Sequence, residues 1–154
     1  MPVSLACQNV TKSFGKFTVI SKLSFNVEEG KIFGLVGPNG SGKTTLYNLI
    51  TKVLPIDSGE IRFKDQRIDK MKPHKICRLG IARTFQIPAF FGTMPVWEQV
   101  MVGSVFGNPK SGHAGKNIQS SLEFVGLHDK SNAPARMLNT FDKKKLMIAT
   151  ALST

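Results

Sequence analysis

The chain has 154 residues, of which 41% are hydrophobic and 20% charged, and its formal net charge is +11. This length is typical of one domain, and the composition argues against long disordered or membrane-spanning segments. The excess of Lys and Arg favours phosphate-rich partners or the anionic face of a membrane, although lysines scattered over a solvated surface explain it as well. Basic and aromatic residues do not alternate, so no nucleic-acid partner is expected.

The N-terminal sequence, MPVSLACQNVTKSF, lacks the basic start and apolar core of a secretion signal, which predicts a cytoplasmic protein. Cys7 and Cys77 have no metal-ligand spacing and are interpreted as reduced structural thiols. The histidines are interpreted as surface residues: His74, His113 and His128.

Short runs that mix apolar and polar residues alternate with helical patterns in the first part of the chain, which is typical of an α/β fold. The runs predict strands over residues 5–10, 23–27, 31–36, 59–63 and 81–85. A helix is predicted to begin at Lys43 and to end before Pro55, and a short second helix is predicted over residues 72–79. The apolar stripe of the first helix consists of Leu46, Leu49, Ile50 and Val53.

Beyond Gln86 the pattern changes to helices, predicted over residues 96–102, 114–125 and 142–152. The segments GNPKSG and DKSNAPA between them are predicted loops. The sequence therefore predicts an α/β core over residues 1–86 and a helical part over residues 87–154.

The strongest motif is GPNGSGKT, residues 37–44, which fits G-x-x-x-x-G-K-[ST] between a predicted strand and a predicted helix. Its glycines let the backbone curl so that N–H groups converge on phosphates at the positive end of a helix dipole, and Asn39 tolerates left-handed backbone angles. Lys43 is placed to reach the β and γ phosphates, and the Thr44 hydroxyl to ligate Mg²⁺. A glycine turn that only caps a helix is the alternative. The predicted nucleotide-binding residues here are Gly37, Pro38, Asn39, Gly40, Ser41, Gly42, Lys43, Thr44 and Thr45.

The residues around this loop resemble a known family. VTKSFGKFTVISKLSFNVEEGKIFGLVGPNGSGKTTLYNLITKVLPIDSGEIRF, followed by GIARTFQIPAFFGTMPVWEQVMVG, resembles the ATP-binding subunits of ABC transporters, and more narrowly the branched-chain amino acid import group. The resemblance implies an α/β P-loop NTPase core of the ABC type with a helical subdomain. It also implies binding of ATP and Mg²⁺ to energise import. Another P-loop enzyme, such as a kinase or GTPase, would need motifs that are not seen here.

The resemblance implies further roles for single residues. Phe14 matches the aromatic residue that stacks on adenine, with an ordinary core phenylalanine as the alternative. Gln86 matches the catalytic glutamine that reaches Mg²⁺ and the attacking water, with an unpaired loop residue as the alternative. The segment that begins at Ile87 and ends at Val102 matches the surface that docks the membrane subunit; in it, Phe90, Phe91 and Trp97 are either interface or packing residues. A second ATP-binding subunit and a peripheral position on the inner face of the plasma membrane are also implied.

The chain departs from the family at the signature Leu-Ser-x-Gly-Gln, where it has Leu-Asn-Thr-Phe-Asp at residues 138–142. Phe141 places a bulky ring where the backbone must approach a phosphate, and Asp142 is expected to add negative charge beside the triphosphate. Asn139 is expected to cap the following helix.

The family's later motifs have no counterpart in these residues: the strand ending in Asp-Glu, with its general base, and the γ-phosphate-sensing histidine. The expectation is a cassette that is C-terminally incomplete, marginal in stability and poor at turnover by itself. The alternative to an importer subunit is a non-enzymatic remnant or split fragment that binds ATP weakly or not at all.

Overall fold

The computed structural model describes residues 2–107 and 114–154, without the side chains of residues 114–117. The chain divides into two compact units, Met1–Ile76 and Cys77–Thr154. The assignment of the nucleotide-binding core to residues 1–86 and of the helical subdomain to residues 87–154 stays a prediction. The helices in the described ranges are too short or too polar to cross a bilayer.

The first unit contains a four-stranded antiparallel sheet in the order β2-β1-β3-β4. Its strands are β1 (Val3–Phe14), β2 (Phe17–Glu28), β3 (Ser58–Phe63) and β4 (Gln66–Arg67). The strands predicted over residues 5–10, 23–27 and 59–63 are confirmed, each within a longer or equal strand. The tight turn between β1 and β2 contains Gly15 at φ +60°, a left-handed angle that glycine adopts without strain.

The strands predicted over residues 31–36 and 81–85 are wrong, because both segments are irregular. In the first of them Ile32 and Val36 are 103% and 93% exposed. An apolar run becomes a strand only when a neighbour completes its hydrogen-bonded ladder. Among the described residues no strand pairs with either run.

Two helices belong to this part of the chain, α1 (Lys43–Ile50) and α2 (Pro73–Arg78). The predicted burial of Leu46, Leu49 and Ile50 is confirmed. Val53 was wrongly included in the stripe: α1 ends at Ile50, Lys52 takes a left-handed φ of 57°, and Val53 is 57% exposed. The helix therefore stops because the backbone turns well before Pro55.

The second unit is helical, with α3 (Val96–Gly107), α4 (Ala114–Phe124) and α5 (Thr140–Leu152), which confirms the three predicted helices. The predicted loop DKSNAPA contains parts of two short 3₁₀ turns and an isolated β-bridge from Pro134 to Pro95. Most of the predicted loop GNPKSG and His113 lie outside the described residues. One apolar cluster unites the three helices and their connections: Val96, Val100, Leu122, Val125, Leu127, Ala135, Leu138, Leu146 and Ala149.

Candidate functional site

Residues 37–42 form an exposed turn that leads directly into α1, as the motif predicts. Gly40 and Gly42 have φ angles of +82° and +86°, which side chains other than glycine rarely adopt. A Cβ atom at Gly37 would lie 2.7 Å from the Ser41 hydroxyl oxygen, so a larger residue there would require the Ser41 side chain to move. Asn39 does not adopt the left-handed angles that it tolerates, because it is not among the described residues with positive φ.

Lys43 is the first residue of α1, and its side chain turns back into the loop. The ammonium group donates hydrogen bonds of 2.7 Å to the carbonyl oxygens of Gly37 and Pro38, and its Nζ lies 3.4 Å from the Ser41 hydroxyl oxygen. A lysine ammonium has three donors and no acceptor. The positive charge is therefore fixed on the concave side of the loop, where a phosphate group would contact it.

The N-terminus of α1 is open to an anion. No side chain in the described part of the chain caps it, and its first turn contains no acidic residue. The first backbone N–H groups of a helix lack intrahelical partners, and the helix dipole adds positive potential there. The glycines, Lys43 and this helix end together fit a polyphosphate chain.

The end of the loop rests on the hairpin formed by β1 and β2. A Cβ atom at Gly42 would lie 3.3 Å from the Val19 carbonyl oxygen, so the two backbones are close together, and 3.4 Å from the Ile20 side chain. Ile20 on β2 is paired with Lys12 on β1, and β1 ends two residues after Lys12, at Phe14. The fold therefore ties the phosphate-binding loop and Phe14 to the same hairpin.

Phe14 is 48% exposed, so it is not a core side chain. The Lys12 Nζ atom lies over its ring, 5.5 Å from the centroid, within the range of a cation–π contact. A role of Phe14 in stacking on adenine stays a prediction. Sequence reasoning missed Lys12 and its partner Asp57, which lie 45 residues apart and form no recognisable motif.

The two predicted magnesium ligands fall in different units. Thr44 is exposed on α1 in the first unit, and Gln86 is exposed in an irregular segment of the second. Their meeting around one ion stays a prediction. The remaining predicted residues of the loop are exposed or half-buried, namely Pro38, Asn39, Ser41 and Thr45.

The segment that matches the family signature begins α5. The Asn139 side chain accepts a hydrogen bond of 2.8 Å from the Asp142 backbone N–H, which confirms the predicted cap. The expectation that Asp142 adds charge beside a triphosphate is wrong, because its carboxylate is 7% exposed and is paired with Lys130. Phe141 is 67% exposed, and the Lys145 Nζ atom lies 4.9 Å from its ring centroid.

The predicted docking segment contains both packed and exposed aromatic residues. Phe90 and Trp97 are half-buried against the apolar cluster of the second unit, whereas Phe91 is 65% exposed. Gln99, 7% exposed, donates through its amide to the Phe91 carbonyl oxygen and accepts from the Phe91 N–H. This contact, which the sequence did not reveal, fixes the backbone that presents the Phe91 ring.

Both cysteines are free thiols. Burial raises the pKa of Cys7 to about 12, and burial also raises the pKa of Cys77 although the charge of Arg78 opposes it. Neither is a thiolate at neutral pH, so neither has the activated form of a nucleophile or metal ligand. Among the described residues there is also no group of three or more His, Cys, Asp or Glu side chains that fits a metal ion.

A glycine loop whose lysine opens a helix is the arrangement of a P-loop phosphate-binding site. Residues 20–154 match the family model for ABC transporters. The chain therefore belongs to the ABC transporter family and has the fold of its ATP-binding cassette.

Individual relatives agree with this assignment. The chain is 38% identical over 101 residues to a probable branched-chain amino acid transport ATP-binding protein LivG of Methanocaldococcus jannaschii, an alignment covering 66% of this chain and 39% of that protein. It is 31% identical over 156 residues to the sulfate/thiosulfate import ATP-binding protein CysA of Vibrio cholerae, covering 99% of this chain and 41% of that protein.

The fold is also similar to the crystal structure of a nucleotide-free ATP-binding cassette from an ABC transporter. The TM-score is 0.84 at 32% identity, and the match covers 98% of this chain and 65% of that chain. The chain thus spans 39% to 65% of the length of these three relatives.

Proposed function

We propose that this chain is the nucleotide-binding part of an ABC importer subunit and binds Mg-ATP through residues 37–45. The observation that carries the proposal is the Lys43 ammonium, fixed inside a glycine loop at the uncapped start of α1. Phosphate oxygens would take over the donors that Lys43 now gives to two backbone carbonyl oxygens. The Thr44 hydroxyl and the Gln86 side chain are the proposed magnesium ligands.

The proposed solute is a branched-chain amino acid. It is supported by the similarity to LivG of Methanocaldococcus jannaschii, although a sulfate/thiosulfate importer subunit is also similar over a longer alignment. The segment from Ile87 to Val102 is the proposed docking surface for the membrane subunit, with Phe91 as its exposed aromatic residue. Docking would hold the chain at the inner face of the membrane next to a second ATP-binding subunit. Co-purification with membrane subunits of a branched-chain importer, lost in Phe91→Ala, checks this proposal; retention by the variant contradicts it.

We also propose that a cassette with this signature segment turns over ATP slowly. Phe141 is 67% exposed in the first turn of α5, where the signature of the resembling family has glycine, and its ring keeps the backbone away from a phosphate. Phosphate release by the purified chain is expected to be no faster than that of Lys43→Ala. A rate near the enzyme median of about 10 per second, abolished by that substitution, contradicts the proposal.

Binding itself is tested by Lys43→Ala. Loss of a hydrogen bond to a charged group costs about 1.5 to 3 kcal/mol, so the Kd for Mg-ATP measured by calorimetry is expected to rise about 10- to 150-fold. Lys75→Ala on α2 is the matched control, since it removes the same charge from an exposed helix position outside the P-loop motif. Equal effects of the two substitutions would show that only net charge matters and would remove the basis for the site.

A further inference from the structure

We propose that Lys12 and Asp57 are positioning residues that hold the Phe14 ring ready to stack on a nucleobase. The proposal rests on the nucleotide-binding function proposed above and adds to it. The geometry of four contacts around β1 carries it.

Asp57, the residue directly before β3, is attached to β1 at three successive residues. Its backbone N–H donates to the Thr11 carbonyl oxygen at 3.0 Å. Its carboxylate accepts from the Lys12 ammonium at 2.7 Å and from the Ser13 backbone N–H at 2.7 Å. The residues immediately before Phe14 are therefore fixed by one aspartate.

The Lys12 ammonium connects this aspartate to the ring. Lys12 is only 8% exposed, and a buried charge is tolerated only when it is paired. Asp57 supplies the pair, and the same ammonium lies 5.5 Å from the Phe14 ring centroid. One face of the ring is thus covered by a fixed cation, which leaves the opposite face for a planar ligand.

Because Phe14 lies at the end of the hairpin strand β1, the orientation of its ring would affect nucleotide binding. Phe14 is the last residue of β1, and its side chain is 48% exposed. Lys12 lies opposite Ile20, which contacts the end of the phosphate-binding loop at Gly42. A ring held in one orientation avoids an ordering cost on binding that corresponds to about 2- to 12-fold in affinity.

The experiment compares two probes, Mg-ATP and magnesium tripolyphosphate, by calorimetry on the full chain. Lys12→Met and Asp57→Asn are each expected to weaken ATP binding about 2- to 12-fold and to leave tripolyphosphate binding unchanged, because only ATP has a base. Lys12→Arg, which keeps the cation over the ring, is expected to retain wild-type ATP binding. Lys64→Met is the matched control, since Lys64 also lies over a phenylalanine ring and pairs with a carboxylate, at Phe63 and Glu29.

A double variant separates action through Phe14 from other effects. Phe14→Ala is expected to weaken ATP binding, and Lys12→Met is expected to add nothing to it. Equal losses for ATP and tripolyphosphate, or no loss in Lys12→Met and Asp57→Asn, overturn the positioning role while Mg-ATP binding stands. A wild-type chain that binds neither probe overturns both the proposed function and this inference.

Discussion

At the scale of single residues, the buried carboxylates are compensated by neighbours that the sequence does not place beside them. Asp142 is paired with Lys130, so its charge faces the helical unit and not a ligand. Asp69, 4% exposed, accepts hydrogen bonds from the Arg67 side chain and from the Ile61 backbone N–H. The family motif predicts that the Asp142 charge faces a ligand, because a motif compares only positions along the chain. In the folded chain the buried Asp142 carboxylate is paired with Lys130, a contact that the motif does not contain.

Asp69 gives a prediction with a pH dependence. Burial by itself would raise the pKa of Asp69, but the hydrogen bonds from Arg67 and Ile61 outweigh it and the pKa is lowered. A depressed pKa in the folded state contributes stability above the unfolded value of about 3.9 and loses it as pH falls through the folded value. Asp69→Asn is therefore expected to lower the free energy of unfolding by about 1 to 3 kcal/mol at pH 7, and by less at pH 3.

Urea unfolding of both proteins at the two pH values measures this difference. Asp65→Asn is the control, because Asp65 is exposed and its left-handed φ of 62° suits asparagine. If the difference in the free energy of unfolding between wild type and Asp69→Asn grows toward pH 3, the lowered pKa of Asp69 and its cause are contradicted.

At the scale of elements, local sequence patterns correctly predict those elements whose backbone hydrogen bonds lie within the element itself. The P-loop turn, the start of α1 at Lys43 and all three helices of the second unit follow from glycine positions and apolar spacing. Residues 31–36 and 81–85 are also rich in apolar residues, but their backbone is irregular. A strand depends on a partner that often lies far away in sequence, so no local pattern decides it.

The approach of β3 to β1 gives a prediction at this scale. Gly59 has φ +90°, and an added Cβ atom would lie 2.5 Å from the carbonyl oxygens of Gln8 and Asn9. Gly30 has φ +72° and no atom within 4 Å of such a Cβ. Gly30→Ala is therefore expected to cost about 1 to 2 kcal/mol for the left-handed backbone alone, and Gly59→Ala more, because the two strands must separate.

Thermal unfolding followed by circular dichroism ranks the two variants, with Gly30→Ala as the matched control for backbone strain. Equal losses in the two variants would mean that β3 moves away from β1 at no cost. That result would contradict the close approach which places Asp57 beside Lys12.

At the scale of the whole molecule, the three most exposed large apolar residues of the described chain all lie in irregular segments. Ile32 and Val36 precede the phosphate-binding loop at 103% and 93% exposure, and Ile87 follows Gln86 at 81%. Contiguous exposed apolar surface binds partners or promotes association. The Ile32 and Val36 side chains are thus little packed, whereas Phe33, which lies between them in sequence, stacks on Phe25.

This surface gives the last prediction, which concerns a dye that fluoresces on apolar surface, anilinonaphthalene sulfonate. The folded chain at pH 7 is expected to bind it, and the double variant Ile32→Asp, Val36→Asp to bind clearly less without losing stability, because side chains this exposed contribute no burial to lose. Val53→Asp, at a 57% exposed position beyond α1, is the control for added negative charge. Dye fluorescence titrations and urea unfolding of the three proteins provide the comparison. If the double variant unfolds at markedly lower urea while the control does not, residues 31–36 are packed in solution and the strand that the sequence predicts there forms after all.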